Sequence, residues 1–233
     1  MRLLGLIFGL FLVLGGNGAE KETLSTQSLS TRTIKSGDTA EGIDVSFYQK
    51  DIEWWKLKSV HFAFIKATEG VTIKDPKFNE NWDSSKKEGI LRGAYHFYRP
   101  HIPAKEQFNH FKSVVSVDSG DLPPVLDLEV NTRYPQHFKK EVLVWLEMAE
   151  EHYGVTPIIY CTHWFYQRYL SYPEFDHYPL WIANYVAQDL NKVTSDWHFW
   201  QHTSTGKIDG ISGHVDRNLF NGSYESLLSL CKR

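Results

Sequence analysis

Short apolar and β-branched runs recur along the chain from Glu41 onwards, and segments with helical periodicity separate them. Runs of this length and composition, bounded by polar or turn-forming residues, are typical of β-strands. We therefore predict eight strands, at residues 42–45, 60–66, 90–97, 124–129, 156–161, 180–184, 198–202 and 214–216.

Between these runs, apolar residues return every three or four positions, which predicts helices. Asp75-Pro76 supplies a cap and a first-turn proline for one helix that Gly89 ends, and Gly154 ends the longest one. The intervals after Leu180 are too short for full crossover helices. We predict helices at residues 51–58, 77–88, 103–114, 135–153 and 164–170.

Strands that alternate with helices predict βα units and a parallel sheet. Eight strands in this length form a compressed TIM-like (β/α) barrel with about five helices, since a full barrel needs about 250 residues. An open doubly wound sheet is the alternative. No GxGxxG motif follows the first strand, which weakens a dinucleotide-binding version of that sheet.

The N-terminal 40 residues differ from the rest of the chain. Arg2 precedes an apolar run at residues 3–14, which is too short to span a membrane, and small residues follow up to Ala19. We predict a signal peptide at 1–19 and an exported protein, periplasmic or extracellular; an uncleaved membrane anchor is the alternative. Residues 20–40 hold nine Ser or Thr and predict a flexible linker before a catalytic domain at 41–233.

Charge and cysteine content narrow the function further. Twenty-five basic residues against 28 acidic ones leave a net charge of −3, without the basic patch that nucleic-acid binding needs. Aromatic residues make up 15% of the chain, which fits either a large core or a cleft for sugar rings. Cys161 and Cys231 occur without CxxC or HxxxH patterns, so we favour free thiols and expect no metal and no cofactor.

The segment 123–130 carries the most informative charge pattern. On a strand, Val125, Asp127 and Glu129 share one face, and Leu126 and Leu128 share the other. The two carboxylates then leave the same side of an apolar strand, about 6.6 Å apart along the backbone. Buried carboxylates are costly unless they are paired, hydrogen-bonded or used in chemistry. Solvation or ion pairing at the strand end is the alternative to a functional role.

Polar and aromatic side chains close the other predicted strands as well. They include Asp44 in the first strand, Asp216 in the last, and Glu69, Tyr95, His96, Tyr160, Asn184 and Gln201 between them. In TIM-like barrels such groups converge at the C-terminal strand ends. Several acids without a metal-binding histidine pattern suit glycoside hydrolysis, which needs one protonated acid and a second carboxylate.

Seven motifs occur in order between residues 41 and 220: GIDVS at 42–46, FIKATEG at 64–70, GAYHF at 93–97, DLE at 127–129, LWIANY at 180–185, WQ at 200–201 and VDRN at 215–218. Together they resemble glycoside hydrolase family 25, the bacterial, phage and fungal muramidases. The resemblance implies a flattened eight-stranded barrel. It also implies hydrolysis of the β-1,4 bond between N-acetylmuramic acid and N-acetylglucosamine in peptidoglycan.

The resemblance also assigns roles to residues. It places the family's four acidic positions on Asp44, Asp127, Glu129 and Asp216, with Glu129 as the general acid. Asp127 would stabilise the positive charge on the sugar or orient the substrate's 2-acetamido group. Asp44 and Asp216 would flank this pair and tune its protonation.

Four further residues are predicted to bind substrate, Tyr95, Tyr160 and Trp181 by stacking on sugars and Gln201 by hydrogen bonding. A purely structural role is the alternative for each of them. We expect a monomer acting on peptidoglycan strands, with membrane contact only if the N-terminal segment stays uncleaved.

Two other functions stay open. A non-catalytic glycan-binding barrel conflicts with the intact acid set. Another exported glycosidase, such as a chitinase-type barrel, would carry a longer DxxDxDxE motif that residues 123–130 do not match.

Overall fold

The computed structural model describes residues 39–194 and 196–233. The predicted signal peptide at 1–19 and nearly all of the predicted linker lie outside these residues. The described strands are β1 Thr39–Val45, β2 Phe62–Glu69, β3 Ile73–Lys74, β4 Leu91–Phe97, β5 Val125–Asp127, β6 Ile158–Thr162, β7 Leu180–Ala183, β8 Phe199–Gly206 and β9 Val215–Ser223. The described α-helices are α1 Phe78–Lys87, α2 Ala104–Val114, α3 Pro135–Tyr153, α4 His163–Phe165 and α5 Tyr224–Leu230.

Eight of the strands close into a barrel, which confirms the predicted fold. They follow the order β1-β9-β8-β7-β6-β5-β4-β2, and β2 pairs again with β1. Six neighbouring pairs of the described strands are parallel: β1–β2, β2–β4, β4–β5, β5–β6, β6–β7 and β7–β8. Strand β9 runs antiparallel to both β8 and β1, and the short β3 extends β2 as an antiparallel edge. The barrel is therefore mixed rather than wholly parallel.

Side-chain alternation along the strands divides the apolar residues into two cores. Phe62 and Phe64 point into the barrel, where they pack with Val125, Trp181 and Phe199. The intervening residues point outwards and pack under the helices, together with side chains of α1, α2 and α3. A Cβ atom on Gly93 would lie 2.8 Å from the Phe64 ring, so the large ring requires glycine on the neighbouring strand.

Helix α3 shows how local signals place the outer layer. Pro135 begins the helix, and Gly154 ends it in the left-handed conformation at φ 68°, which glycine adopts without strain. Phe138, Val142 and Ala149 recur at helical spacing and are buried against the sheet. The observed bounds equal the predicted ones.

Several elements differ from the predictions. The predicted helix at 51–58 is a single 3₁₀ turn at Trp54–Lys56, and the one at 164–170 is α4 followed by a π-helical turn at Tyr166–Leu170. Strand β3 and helix α5 are additional elements. Cys161 in β6 and Cys231 after α5 are both buried free thiols. Among the described residues, no helix is long and apolar enough to cross a membrane.

Candidate active site

One cleft of about 250 Å³ opens where the parallel strands end at their C-termini. It contains all eight residues that the sequence predicts to be catalytic or substrate-binding. The lining includes Asp44, Tyr95, Asp127, Glu129, Tyr160, Trp181, Gln201 and Asp216. The barrel therefore brings together side chains from seven strands and from the loop after β5.

Strand β5 supplies the first two acids. Asp127 is its last residue and is buried, and Glu129 lies two positions beyond, where the strand has already ended. The strand is shorter than the predicted 124–129. Backbone hydrogen bonds still hold this turn in place, because Tyr98 N donates to Asp127 O at 3.0 Å and Leu128 N donates to Tyr160 O at 2.9 Å.

The first and last strands supply the other two acids. Asp44 of β1 stands directly opposite Asp216 of β9 in the antiparallel register. The expectation that Asp216 sits at a C-terminal strand end is wrong, since it is the second residue of β9. Because β9 is antiparallel to its neighbours, its beginning lies at the same rim as their ends. The reversed strand thus places Asp216 beside the other acids.

A buried network of amides and rings holds Asp44. Its Oδ2 accepts hydrogen bonds from Gln201 Nε2 at 2.8 Å and from Asn218 Nδ2 at 2.9 Å. Asn218 Oδ1 in turn accepts from Trp181 Nε1 at 2.8 Å, and Gln201 Oε1 accepts from the Tyr160 hydroxyl at 2.8 Å. These bonds fix the carboxyl of Asp44 and connect β1 with four other strands.

Burial raises the pKa of the carboxyls in this cluster. It raises the pKa of Asp44 to about 8, with a further contribution from the nearby Asp216 and opposition from the two amide hydrogen bonds. It also raises the pKa of Asp216 to about 6. The pKa of Asp127 lies well above its usual range because of burial and the neighbouring Glu129 charge. Such a cluster retains protons at neutral pH and titrates as a unit.

Glu129 is the most exposed of the four acids, and its open side faces the cleft. The surrounding protein still desolvates the carboxyl and raises its pKa, against the lowering effects of the Tyr160 hydroxyl and the Lys66 ammonium. A carboxyl that is accessible from the cleft and holds its proton above the usual pH range suits general acid catalysis.

Lys66 is a cleft residue that the sequence did not single out. Its Nζ donates to Glu69 Oε2 at 2.8 Å, and the Arg99 guanidinium holds the other oxygen of Glu69. Burial would raise the pKa of Glu69, but hydrogen bonds and charge from these two cations lower it overall. Glu69 is thus a paired anion outside the cleft lining, while Lys66 brings positive charge towards Asp127 and Glu129.

Two other polar strand-end residues serve the fold. His96 is fully buried, with Nδ1 2.7 Å from the Thr68 hydroxyl and Nε2 3.2 Å from Gln107 Oε1. Burial lowers the pKa of His96 to about 3, so the ring is neutral. Asn184 accepts hydrogen bonds from the backbone N–H groups of Val186 and Ala187, which shapes the loop after β7.

The aromatic residues of the cleft form a buried floor and exposed walls. Trp181 is 2% exposed and stacks on Phe64 at 4.4 Å between ring centroids, and the Tyr160 ring lies 4.3 Å from Trp181. Tyr48 and Tyr185 also line the cleft, and they are 73% and 52% exposed. Both wall residues went unnoticed in the sequence, although Tyr185 ends one of the seven motifs and Tyr48 follows another.

The described part of the chain contains no group of His, Cys, Asp and Glu side chains arranged to hold a metal ion. The four acids lie close to one another and to Lys66, and Asp44 is bonded to the amides of Gln201 and Asn218. This is the chemistry of proton transfer and charge stabilisation.

Comparison with known proteins decides the family. The sequence model of "Glycosyl hydrolases family 25" matches residues 43–211. This chain belongs to glycosyl hydrolase family 25. The matched range contains Asp44, Asp127 and Glu129, and Asp216 lies just beyond it. Membership of this family makes the protein an enzyme, a glycosidase.

Relatives of this family 25 enzyme span most of its length. It is 41% identical over 202 residues to the uncharacterised protein YegX of Escherichia coli strain K12, covering 83% of this chain and 74% of that one. It is 37% identical over 218 residues to Lysozyme M1 of Streptomyces globisporus, covering 85% and 74%. The solved bacterial lysozyme from Streptomyces coelicolor shares the fold with a TM-score of 0.76 at 34% identity, covering 84% of this chain and 98% of that one.

Proposed function

We propose that this family 25 enzyme hydrolyses peptidoglycan at the β-1,4 bond between N-acetylmuramic acid and N-acetylglucosamine. The observation that carries the proposal is that Asp44, Asp127, Glu129 and Asp216 line one cleft together with exposed tyrosines. Relatives that are named lysozyme support this class of substrate. The exposed rings of Tyr48 and Tyr185 provide flat faces on which sugar rings stack.

Glu129 is the proposed general acid. It donates its proton to the glycosidic oxygen as the bond from that oxygen to C1 of the muramic acid breaks, and the bonding electrons pass to the oxygen. Water then adds at C1 and returns a proton to the Glu129 carboxylate. The raised pKa of Glu129 and its opening towards the cleft support this assignment.

Asp127 is the proposed partner of Glu129. Its position at the end of β5, buried beside the acid, suits either stabilisation of positive charge at C1 or orientation of the substrate's 2-acetamido group. Its Oδ1 atom is buried and accepts no hydrogen bond from any described residue. The carboxyl is thus poorly compensated in the free enzyme, and positive charge that develops in the transition state would compensate it.

Asp44 and Asp216 are proposed to tune this pair. Their opposed positions on β1 and β9 put two further carboxyls beside the reacting pair, and their raised pKa values keep protons within the cluster. Tyr95, Tyr160, Trp181 and Gln201 stay proposed substrate-binding residues. The bonds of Tyr160, Trp181 and Gln201 to one another and to Asn218 also support the cleft floor.

Product analysis tests the proposal. Purified peptidoglycan is digested with the wild-type enzyme, Glu129→Gln and the control Glu147→Gln, which changes an exposed carboxyl on α3. We expect muropeptides with muramic acid at the reducing end from the wild type and the control. Glu129→Gln keeps the shape of the side chain but has no proton to donate, so turnover falls by about 10²-fold or more. Binding of glycan fragments persists.

The other outcomes separate the alternatives. Products with N-acetylglucosamine at the reducing end would show a glycosidase of different bond specificity. Glycan binding without any product from the wild type would show a non-catalytic binding barrel. Near-normal turnover by Glu129→Gln would remove Glu129 from the acid role.

We also propose that the enzyme is exported by a signal peptide at residues 1–19. An apolar run of this length behind Arg2 supports the proposal, as does the relative named autolytic lysozyme from Clostridium acetobutylicum. N-terminal sequencing of the protein from its native cells should find Glu20 as the first residue. Membrane-bound protein that begins at Met1 would show an uncleaved anchor instead.

A further inference from the structure

A second groove of about 420 Å³ continues from the loops that border the cleft. Val130 follows Glu129 directly in the chain, and Pro100 lies three residues after Phe97, another cleft residue. The bond from Tyr98 N to Asp127 O at 3.0 Å ties the two loops together at the point where they leave the cleft. The two walls of the groove are therefore the loops that follow β4 and β5, the same loops that border the cleft.

The groove combines an apolar surface with basic side chains. Ile102, Pro103, Val130 and Tyr134 contribute apolar surface, and Tyr134 is 72% exposed. The basic side chains are those of His101, Arg133 and His137, and all three residues are exposed.

The one acidic residue of this lining already has a partner. Glu141 Oε2 accepts a hydrogen bond from Ala104 N at 2.8 Å, within the protein. Arg133 forms no ion pair with any residue that the structure describes. An unpaired guanidinium above an apolar wall is complementary to a peptide that carries carboxylates.

We propose that this groove binds the acidic stem peptide that N-acetylmuramic acid carries on its lactyl group. The inference rests on the proposed function, because only that substrate brings such a peptide next to the bond being cleaved. The second residue of the stem is a glutamate linked through its side chain, which leaves its α-carboxylate free. Arg133 pairs with that carboxylate, and the alanine before it packs on the apolar wall.

The distances fit this arrangement. Arg133 is four residues beyond Glu129, so their Cα atoms are at most about 14 Å apart. The lactyl group and two amino acids span about 10 Å when extended. A muramic acid held beside Glu129 therefore delivers the glutamate carboxylate within reach of the Arg133 side chain. Arg133 is a specificity residue in this proposal and takes no part in bond cleavage.

The test compares two substrates that share the same glycan. One is peptidoglycan with its stem peptides, and the other is the same material after an amidase has removed them. We measure the ratio of kcat/KM on the first to kcat/KM on the second. Arg133→Gln should lower this ratio about fivefold and Arg133→Glu about tenfold or more, in line with the contribution of a partly exposed charge pair. The control Lys140→Gln removes an exposed cation of α3 outside the groove and leaves the ratio as in the wild type.

Added salt supplies a second readout. Because the contact is electrostatic and open to solvent, the preference of the wild type for peptide-bearing glycan should shrink as salt rises. The preference of Arg133→Gln should respond less.

The outcomes separate a failure of the stem-peptide inference from a failure of the proposed function. An unchanged ratio in both Arg133 variants overturns the inference, as does the same fall in the ratio for Lys140→Gln. An equal loss on both substrates also overturns it, since Arg133 would then act on the glycan or the cleft. Absence of reducing-end muramic acid from either substrate with the wild-type enzyme contradicts the proposed function instead.

Discussion

The two pairs of acids come from unlike regions of the barrel. Asp127 and Glu129 belong to β5 and its loop, in the parallel part of the barrel that helices cover. Asp44 and Asp216 belong to the closing seam, formed by β1 and β9, where the first and last strands meet antiparallel. Side-chain amides hold Asp44 in the seam, whereas no described side-chain amide donates to the acids of β5.

This difference suggests that the two pairs of acids have different roles. Asp44 is held by two amides at fixed distances and has a pKa of about 8, so its carboxyl is suited to keep the geometry of the site and to hold a proton. A carboxyl without such donors changes its charge more freely as the substrate reacts. We infer that the β5 acids carry out bond cleavage and that the seam acids set the conditions for it.

The largest expected effect falls on the β5 side. Asp127→Asn preserves the shape of the side chain but cannot become the carboxylate that compensates positive charge in the transition state, so kcat should fall by about 10²-fold. Asp44→Asn should lower kcat by only about tenfold, because it acts through its neighbours. The measurement is kcat on soluble peptidoglycan fragments, with the exposed Asp83→Asn of α1 as the control. Equal losses at Asp127 and Asp44 would contradict the division of tasks.

A smaller effect is expected on stability, because the hydrogen bonds of the seam help to hold the folded barrel together. Asn218→Ala removes a donor to Asp44 and the acceptor of Trp181 Nε1, both of them buried. Groups left without partners should lower the free energy of unfolding by about 1–3 kcal/mol. Denaturant titration measures this, with the exposed Asn79→Ala of α1 as a control expected within about 0.5 kcal/mol of the wild type. Similar stability of the two variants would argue against a structural seam.

The last prediction is a pH-dependent gain in stability at Asp44 itself. The pKa of Asp44 in the folded enzyme, about 8, is above the unfolded value of 3.8, so its contribution to stability is full below about pH 4 and is lost as pH rises towards 8. Asp44→Asn cannot ionise and escapes that loss. The Tm of Asp44→Asn relative to the wild type should therefore be higher at pH 8 than at pH 4. Calorimetry at both pH values measures the difference, and a constant difference would show that Asp44 does not retain its proton.

Local patterns were sufficient to predict most of the fold. The long helix α3 could be predicted from Pro135, Gly154 and the apolar spacing between them, because each of these signals acts within a few residues. The direction of β9 could not be predicted in this way. It depends on pairing with β1 and β8, which are distant in the chain, and the polar residues after Asp216 hide the length of the strand.

The same limit applies to the site. Asp127 and Glu129 attract notice because carboxylates are rare beside a buried apolar strand. Asn218 and Tyr48 carry no such signal, since amides and tyrosines are common at surfaces and loops. Only the closed barrel brings Asn218 to Asp44, and only the packing of Phe64 and Tyr160 reveals that Trp181 is buried.

The position of β9 also determines when the acid cluster is completed during synthesis. The ribosome completes β1 early, but Asp44 acquires Asn218 and Asp216 as neighbours only after β9 has been made and has paired with it. Proteins dominated by contacts so distant in sequence fold slowly. A chain that stalls or is cut before β9 therefore carries Glu129 but lacks the complete acid cluster. Completion of the acid cluster is thus tied to the last strand of the barrel.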